Sequence, residues 1–362
     1  MERGKEKNMK ILQLNTERTY RGGEKQTYYT IIGLLNAEVE VGLVCRKGYP
    51  LSKKVKPLLK EYSSKFKVWE VSGFKEEFLT IARIGKNYDL IHAQTGKTHT
   101  TAILTKPFHR KRVLYTRRVH FVPSGFLTKL KYKLTDEIVA ISQDIKNILC
   151  SAGIRCDKVV YSCVYPKEIN FKRGEELKRN LGIYNKKIIG TFSAFVPHKD
   201  PFTLIKVIEE LKRFRKDFVF LHFGEGELRE EIEKELLNRN LEDVYKIMGF
   251  WEDVEDFFSI FDVFVISSSG EGLGSSILDA FYYEVPVVAT SAGGLKEIVN
   301  GRGILCPVGD SKSIAKGINK LLENTKLRQK LTKSAKKFVE EECSIEVHTR
   351  KYLKIYEKTL NM

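Results

Sequence analysis

The chain has 362 residues, of which 42% are hydrophobic and 30% are charged. This length suffices for two domains with ordinary hydrophobic cores, so a small scaffold stabilised by disulfides is excluded. The composition is that of a globular protein and excludes a disordered or collagen-like chain. Lys and Arg outnumber Asp and Glu by 63 to 46, which gives a formal net charge of +17.

The positive charge is concentrated in the first half of the chain. Residues 1–170 contain 32 basic and 16 acidic side chains, whereas residues 171–362 contain 31 and 30. A basic surface on one domain indicates an anionic partner for that domain, such as nucleic acid, an anionic membrane or a phosphorylated substrate. A lysine-rich solubilising surface, as in heat-adapted proteins, explains the same charge equally well.

The cysteines and the N-terminus favour a reducing, cytoplasmic environment. None of the six cysteines forms a CxxC pair, and the spacing of Cys150, Cys156 and Cys163 differs from that of zinc ligands, so we expect no metal site. Residues 1–15 lack the apolar core of a signal peptide, and no apolar run approaches the roughly 18 residues of a membrane span.

Short β-branched segments alternate with longer amphipathic segments, a pattern typical of parallel sheets covered by helices. The strands predicted in the first half are Lys10–Asn15, Glu40–Cys45, Lys67–Val71, Leu90–Gln94, Arg112–Thr116, Glu137–Ile141 and Val159–Val164. Those predicted in the second half are Ile188–Phe192, Phe218–Phe223, Tyr245–Met248, Val263–Ser267, Pro286–Ala289 and Ile304–Pro307. The fold class is therefore α/β, with two doubly wound, Rossmann-like halves.

The domain boundaries follow from a pause in this alternation. We expect the first domain over residues 9–165, a polar linker over 166–185 and the second domain over 186–344. The last segment, 345–362, has the periodicity of an amphipathic helix. Periodicity alone leaves open whether it caps the second domain or crosses back to the first, and we expect it to belong to the first domain.

The segment Ser267–Ala280, with the sequence SSSGEGLGSSILDA, contains a strand end, a Gly-rich turn and a helix that begins near Gly274. Uncrowded backbone N–H groups at a helix N-terminus bind anions, so a diphosphate would fit this turn. Glu271 precedes the helix and Asp279 lies five residues into it, so both carboxylates can reach one ligand. An ordinary turn has similar residues, but open α/β sheets bind ligands at this end of their strands.

A second Gly-rich turn follows the first predicted strand. Gly22 and Gly23 would let the backbone approach phosphates, and Arg18 or Arg21 could add positive charge. The dinucleotide fingerprint GxGxxG is absent from this turn, which argues against a nicotinamide or flavin cofactor.

One histidine and one basic segment in the first half also stand out. His120 follows a predicted strand beside two arginines, although lone histidines are more often structural. Residues 106–133 hold nine lysines and arginines interleaved with aromatic residues. This pattern favours contact with a membrane surface over a solvated helix face by a small margin.

Together these motifs resemble the retaining glycosyltransferases of family 4, which have the GT-B architecture of two Rossmann-like domains facing across a cleft. The most specific feature is the family's E-x7-E motif, present as Glu271 and Asp279. The runs RGGEKQ, HFGEGEL and KIMGFWEDVEDFFSIFD match further family segments in the same order.

The resemblance implies a nucleotide-sugar donor bound mainly by the second domain and an acceptor bound by the first. Glu271 would contact hydroxyls of the donor sugar, Asp279 the ribose, and His120 would lie near the reacting carbon. The implied catalytic residues are Glu271, His120 and Lys199. The implied donor-binding residues are Gly22, Gly23, Gly224, Trp251, Gly272, Leu273, Gly274 and Asp279.

The chain departs from the family pattern at two positions. Asp279 replaces the second glutamate of the motif and is one methylene shorter. Ala194 replaces a phosphate-binding arginine, so that Lys199 is the remaining cation of that element. His198, Arg18 or Arg21 are candidates to compensate for the missing charge.

The sequence therefore predicts a retaining, metal-independent glycosyltransferase without a cofactor. We expect it to transfer a sugar, for which a UDP-sugar is the first choice, to a lipopolysaccharide-core, lipid-linked or other glycan acceptor. The alternatives are another GT-B enzyme, such as a nucleotide-sugar epimerase or a sugar-phosphate synthase, and a basic nucleic-acid-binding module. No nucleic-acid motif is present, so we expect no nucleic-acid partner and a cytoplasmic protein with peripheral contact with an anionic membrane as an option.

Overall fold

The computed structural model describes residues 9–251 and 253–361. The chain forms two compact units. The first unit contains the described residues up to Tyr165 and those from Glu342 onward, and the second contains those from Pro166 to Glu341.

The first unit is built on seven parallel strands covered by helices. The strands are β1 Lys10–Asn15, β2 Glu40–Arg46, β3 Phe66–Val71, β4 Leu90–Ala93, β5 Arg112–Arg117, β6 Glu137–Ala140 and β7 Lys158–Val159. The helices are α1 Gly22–Asn36, α2 Pro50–Lys54, α3 Lys56–Glu61, α4 Phe74–Ile84, α5 Gly96–His109, α6 Phe126–Lys133 and α7 Gln143–Ser151, with a 3-10 turn at Gly85–Asn87.

The second unit repeats this plan with six parallel strands. Its strands are β8 Lys187–Phe192, β9 Phe218–Phe223, β10 Tyr245–Gly249, β11 Val263–Ile266, β12 Val287–Thr290 and β13 Ile304–Cys306. Its helices are α8 Phe171–Leu181, α9 Pro201–Phe214, α10 Arg229–Asn238, α11 Ser275–Tyr282, α12 Gly294–Val299, α13 Ser311–Glu323 and α14 Thr325–Glu342, with 3-10 turns at Pro197–Lys199 and Val254–Ile260. The last helix of the chain, α15 Ile345–Leu360, follows.

The strand order places a topological switch point in each sheet. The first sheet runs β3-β2-β1-β4-β5-β6-β7 and the second β10-β9-β8-β11-β12-β13. Connections leave to opposite sides at β1/β4 and at β8/β11, which opens a crevice beyond the carboxyl ends of these strands. The predicted Gly-rich turns follow β1 and β11, so each lies at a switch point.

Two predictions for local structure differ from the observed fold. The strand predicted at Val159–Val164 is limited to Lys158–Val159, because the chain leaves the sheet edge and Val164 pairs instead with Ser344. The segment 166–185, predicted as a linker, contains α8.

Helix α8 is an ordered part of the second unit. Gly174 packs so closely that an added Cβ would lie 2.7 Å from Ile260 Cγ2, and Asn170 N donates to Asp256 Oδ1 at 2.8 Å. The segment resembled a linker because only one narrow face of α8, with Gly174 and Leu177, is buried. The remaining polar residues cover its solvent side.

Helix α15 packs on the first unit and completes its core. Tyr352 and Tyr356 are fully buried, and their hydroxyls reach polar side chains of the sheet. The hydroxyl of Tyr352 hydrogen-bonds Thr116 Oγ1 at 2.7 Å, and that of Tyr356 hydrogen-bonds His92 Nδ1 at 2.7 Å. The last segment, for which periodicity allowed a position on either domain, therefore packs on the first unit.

A buried histidine of α15 makes this packing sensitive to acid. His348 hydrogen-bonds Thr30 Oγ1 at 3.0 Å and the carbonyl oxygen of Tyr161 at 2.9 Å. Burial lowers the pKa of His348 to about 3. Since the unfolded chain protonates this imidazole near pH 6.5 and the folded chain does not, the stabilising difference is complete above that pH and falls as the pH decreases.

We expect His348→Gln to reduce the loss of stability on acidification. Between pH 6 and pH 4 its free energy of unfolding should fall less steeply than that of the wild type, by up to about 1.4 kcal/mol per pH unit. Urea unfolding at several pH values measures both slopes. His198→Gln, which changes an exposed histidine, is the control, and identical slopes for all three proteins would contradict the prediction.

Candidate functional site

The Gly-rich loop after β11 is held against the turn that follows β8. Ser267 Oγ donates to the carbonyl oxygens of Lys199 at 3.0 Å and Asp200 at 2.9 Å. The backbone N–H of Ser269 donates to the carbonyl oxygen of His198 at 2.9 Å. Because β8 and β11 are adjacent parallel strands, their following loops meet at one edge of the sheet.

These contacts bring two of the predicted catalytic residues together. Lys199 Nζ forms a hydrogen-bonded ion pair with Glu271 Oε2, and Ser268 Oγ lies 3.3 Å from the same oxygen. The side chains retain 23% and 15% of their surface exposed, respectively. The pair is therefore largely shielded from water but accessible to a molecule that enters from the carboxyl edge.

The backbone around Glu271 requires glycine at two positions. Gly274 has φ +85°, and an added Cβ would lie 2.4 Å from Leu295 Cδ2. An added Cβ on Gly294 would lie 2.2 Å from the carbonyl oxygen of Gly272, and Gly294 N donates to the carbonyl oxygen of Glu271 at 3.0 Å. The loop is therefore fixed against the start of α12.

Helix α11 begins directly after this loop, as the sequence predicts. Gly274 is its N-cap residue, and Leu273 is buried beneath the loop. Asp279 lies in the second turn and is largely buried. The first turn of α11, with its N–H groups, therefore follows directly the loop that carries Glu271.

Gly224 and Trp251 lie at the ends of neighbouring strands of the same unit. An added Cβ on Gly224 would lie 1.9 Å from the carbonyl oxygen of Ser193, so only glycine allows the loops after β8 and β9 to approach this closely. Trp251 donates from Nε1 to the carbonyl oxygen of Met248 at 2.7 Å and keeps 37% of its surface exposed. This edge of the sheet therefore has a partly exposed aromatic ring, that of Trp251, and a backbone segment at Gly224 that no side chain covers.

The predicted residues of the first unit form a separate set. Gly22 and Gly23 open α1, whose first turn is closed by Arg21 N donating to Glu24 Oε2 at 2.9 Å. An added Cβ on Gly23 would lie 3.8 Å from Arg118 Cδ. Arg118, which was not a candidate from the sequence, therefore has its side chain next to Gly23.

Arg18, one of the two candidate arginines from the sequence, lies next to an aromatic ring. The guanidinium of Arg18 lies 5.9 Å from the centre of the Tyr49 ring. The sequence pointed to Arg18 and Arg21 because they flank the Gly-rich turn, whereas the placement of Arg118 depends on strands and helices distant in the chain.

His120 is paired with an acid that sequence reasoning missed. Its Nδ1 lies 2.6 Å from Asp144 Oδ2, and both side chains are about two-thirds buried. Asp144 is in the first turn of α7, which follows β6, whereas His120 follows the neighbouring strand β5. A carboxylate this close to a ring nitrogen restricts the orientation of the imidazole.

The described ranges contain neither a candidate metal cluster nor a candidate membrane-spanning helix. No group of three or more His, Cys, Asp or Glu residues in 9–251 and 253–361 is arranged to hold a metal ion. In the same residues, no helix has the length and apolar character needed to cross a membrane.

Two family models match the chain. The model for Glycosyltransferase Family 4 matches residues 20–162, and the model for Glycosyl transferases group 1 matches residues 174–338. The two matches lie on the first and second unit, respectively, and together cover most of the chain.

Individual proteins similar to this chain are also named as glycosyltransferases. An uncharacterized glycosyltransferase of Methanocaldococcus jannaschii, MJ1178, is 30% identical over 238 residues, which are 63% of this chain and 62% of that protein. The lipopolysaccharide core biosynthesis glycosyltransferase LpsE of Rhizobium meliloti is 27% identical over 170 residues, 46% of this chain and 49% of its own. The matched part thus spans less than two thirds of either relative.

A solved structure shares the whole fold. Anabaena Alr3699/HepE, crystallised in complex with UDP and glucose, superposes with a TM-score of 0.82 at 21% identity, covering 97% of this chain and 100% of that one. The expected α/β class with two Rossmann-like domains is confirmed.

Proposed function

This chain belongs to the glycosyltransferases of family 4 and group 1, and we propose that it transfers a sugar from a UDP-sugar to a glycan or lipid-linked acceptor with retention of anomeric configuration. The Lys199–Glu271 pair at the start of the Gly-rich loop is the observation that carries the proposal. The choice of UDP is supported by the UDP and glucose found with the Anabaena protein.

The two members of the pair have complementary tasks in donor binding. Lys199 supplies an ammonium group for the diphosphate, and Glu271 supplies acceptor oxygens for hydroxyls of the donor sugar. In this structure the two side chains are largely shielded from water, and each charge is balanced by the opposite charge of the other. When a donor binds, its phosphate replaces Glu271 as the partner of Lys199, and its hydroxyl groups replace Lys199 as the partners of Glu271.

The same groups stabilise the leaving diphosphate. When the bond from the anomeric carbon to the phosphate oxygen breaks, the sugar becomes oxocarbenium-like and negative charge accumulates on the phosphate. Lys199 and the N–H groups at the start of α11 stabilise that charge more strongly in the transition state than before it. We therefore propose that transfer requires neither a metal ion nor a cofactor.

Retention follows if the acceptor attacks from the face that the diphosphate leaves. This route needs no carboxylate nucleophile, and a phosphate oxygen can accept the acceptor's proton. His120, oriented by Asp144, contacts the reacting sugar in this proposal. Asp279 contacts the ribose, the partly exposed Trp251 lies by the base, and the glycines at 22, 23, 224, 272 and 274 with Leu273 give backbone contacts.

The first unit carries a surface suited to a membrane-bound acceptor. Helix α6 exposes Phe126 and Leu127, at 79% and 77%, beside the exposed Lys129 and Lys133. A short basic helix with exposed apolar residues binds the interface of an anionic bilayer. We propose peripheral contact of this helix with a membrane that presents a lipid-linked or lipopolysaccharide-type acceptor, consistent with the role in the name of the Rhizobium relative.

The roles of the pair are separable by substitution. We expect Glu271→Gln to bind UDP as the wild type does but to lose turnover, because a neutral amide is a poor substitute for a charged hydrogen-bond acceptor, at a cost of roughly 2–4 kcal/mol in the barrier. Lys199→Ala should weaken binding of UDP far more than binding of uridine. Calorimetry and a donor-consumption assay with UDP-sugars measure both effects.

Glu284→Gln is the matched control, because Glu284 forms an exposed ion pair with Lys336 in the same unit. It should behave as wild type. Full turnover by Glu271→Gln, or equal losses of UDP and uridine binding by Lys199→Ala, would remove these residues from the donor site. Consumption of a nucleotide sugar without any acceptor, to give an isomer, would favour an epimerase instead.

The membrane proposal is tested with two pairs of lysines. Lys129→Gln with Lys133→Gln on α6 should reduce cosedimentation with anionic vesicles, since each lysine near such a surface contributes about 1 kcal/mol. Lys330→Gln with Lys333→Gln removes the same charge from exposed positions of α14 and should leave binding unchanged. Equal losses for both pairs would show a general charge effect and contradict a specific role of α6.

A further inference from the structure

A cavity of about 490 Å³ lies between α6 and the turn that follows α7 in the first unit. Its lining includes the buried side chains of Ile138 and Ile154. Glu137, which also lines it, begins β6, so the cavity lies at the amino ends of the strands, whereas His120 follows the carboxyl end of β5. The volume is that of a small-molecule site, and none of its lining residues is assigned to the donor or to the reacting sugar.

Three basic side chains line this cavity. Lys129 and Lys133 on α6 form no ion pair and no side-chain hydrogen bond with any described residue. Arg155, on the opposite wall, donates from Nε to Asp157 Oδ2 at 2.7 Å, and its two terminal nitrogens meet no acceptor within the described ranges. Cationic groups of two separate elements therefore face one cavity with donors available for a ligand.

The two acids in the lining have other partners. Asp136 Oδ2 accepts from Lys106 Nζ and from the backbone N–H of Val113, both at 2.7 Å. Burial raises the pKa of Glu137, and a backbone hydrogen bond and the positive charge of Lys158 offset this rise only in part. The charge that the cavity leaves unbalanced is therefore positive.

An exposed apolar stripe of α6 borders the same cavity. Phe126, Leu130 and Leu134 follow one another at intervals of four residues and are all exposed. At 100° per residue, Lys129 and Lys133 lie between this stripe and the buried side of the helix. Lysines in such a position lay their methylene groups along the apolar surface and hold their ammonium groups at its polar border. A ligand with an anionic part and an apolar part matches this arrangement.

We propose that the cavity binds the head group of an anionic glycerophospholipid, whose phosphate contacts Lys129, Lys133 and Arg155 and whose chains lie along the apolar stripe of α6. Phosphate oxygens form charge-assisted hydrogen bonds with ammonium and guanidinium groups, and basic pockets at membrane surfaces bind such head groups. The inference rests on the proposed contact of α6 with a membrane and adds to it a site for one lipid molecule. It does not depend on the sugar donor.

Calorimetric titration of the full chain with dihexanoyl phosphatidylglycerol, kept below its critical micelle concentration, tests this site without a membrane. We expect one lipid to bind per chain. Lys133→Gln with Arg155→Gln should weaken binding by about 10- to 100-fold, because charge-assisted hydrogen bonds from both walls are lost. Arg83→Gln with Lys86→Gln removes the same charge from exposed positions outside the cavity and should leave binding unchanged.

Two further ligands separate the contributions of the head group and the chains. Dihexanoyl phosphatidylcholine has the same chains without a net negative charge, and glycerol phosphate has the phosphate without chains, so both should bind more weakly than the phosphatidylglycerol. Leu130→Ser with Leu134→Ser should weaken binding of the phosphatidylglycerol by about tenfold and leave binding of glycerol phosphate unchanged. Leu237→Ser, at an exposed position of the second unit, is the control for an apolar substitution.

The results decide the inference separately from the proposed function. Absence of phosphatidylglycerol binding, or equal affinity of the wild type and the Lys133/Arg155 double variant, would overturn it even if vesicles still bind through α6. Glycerol phosphate bound as tightly as the lipid would assign the cavity to a soluble phosphate compound and would also overturn it. Binding of phosphatidylglycerol that depends on Lys133 and Arg155, in a chain that binds no UDP-sugar, would support the lipid site and contradict the proposed donor.

Discussion

The candidate site residues lie at the carboxyl edges of the parallel sheets, where the loops that follow neighbouring strands lie side by side. In the second unit, β8 and β11 are adjacent, so Lys199 and Glu271 meet although 72 residues separate them. Hydrogen bonds from Ser267 to the turn after β8 fix that meeting. A charged pair, bare backbone and a helix N-terminus consequently share one edge, which suits a ligand with phosphate and hydroxyl groups.

The first unit uses the same principle but needs the end of the chain to complete it. Two buried polar side chains on its central strands, His92 and Gln13, hydrogen-bond the hydroxyl of Tyr356 on α15. Buried polar groups are costly unless they are bonded, so α15 contributes to the stability of this unit.

Much of this could be predicted from the sequence, because strand periodicity and Gly-rich turns are local signals. The predicted segments overlap each of the thirteen strands of the described residues, that at β7 only at Val159, and the loop around Glu271 was also identified. The family models confirm the resemblance that those motifs carried. Features that depend on packing between segments distant in the chain could not be predicted from the sequence. Helix α8 resembled a linker because most of its surface is polar, and the His120–Asp144 pair joins loops 24 residues apart. The placement of Arg118 beside Gly23 depends on such packing as well.

We propose that the edge formed by Lys199 and Glu271 binds a nucleotide-diphosphate sugar. Thermal unfolding of the full chain with UDP-, GDP-, ADP- and CMP-sugars tests it most directly, since a ligand present at 100 times its Kd stabilises by about 2.7 kcal/mol. We expect a clear rise in Tm with a UDP-sugar, and we expect this rise to disappear when Lys199 and Glu271 are both replaced. No shift with any of these sugars, or an undiminished shift in the double variant, would contradict it.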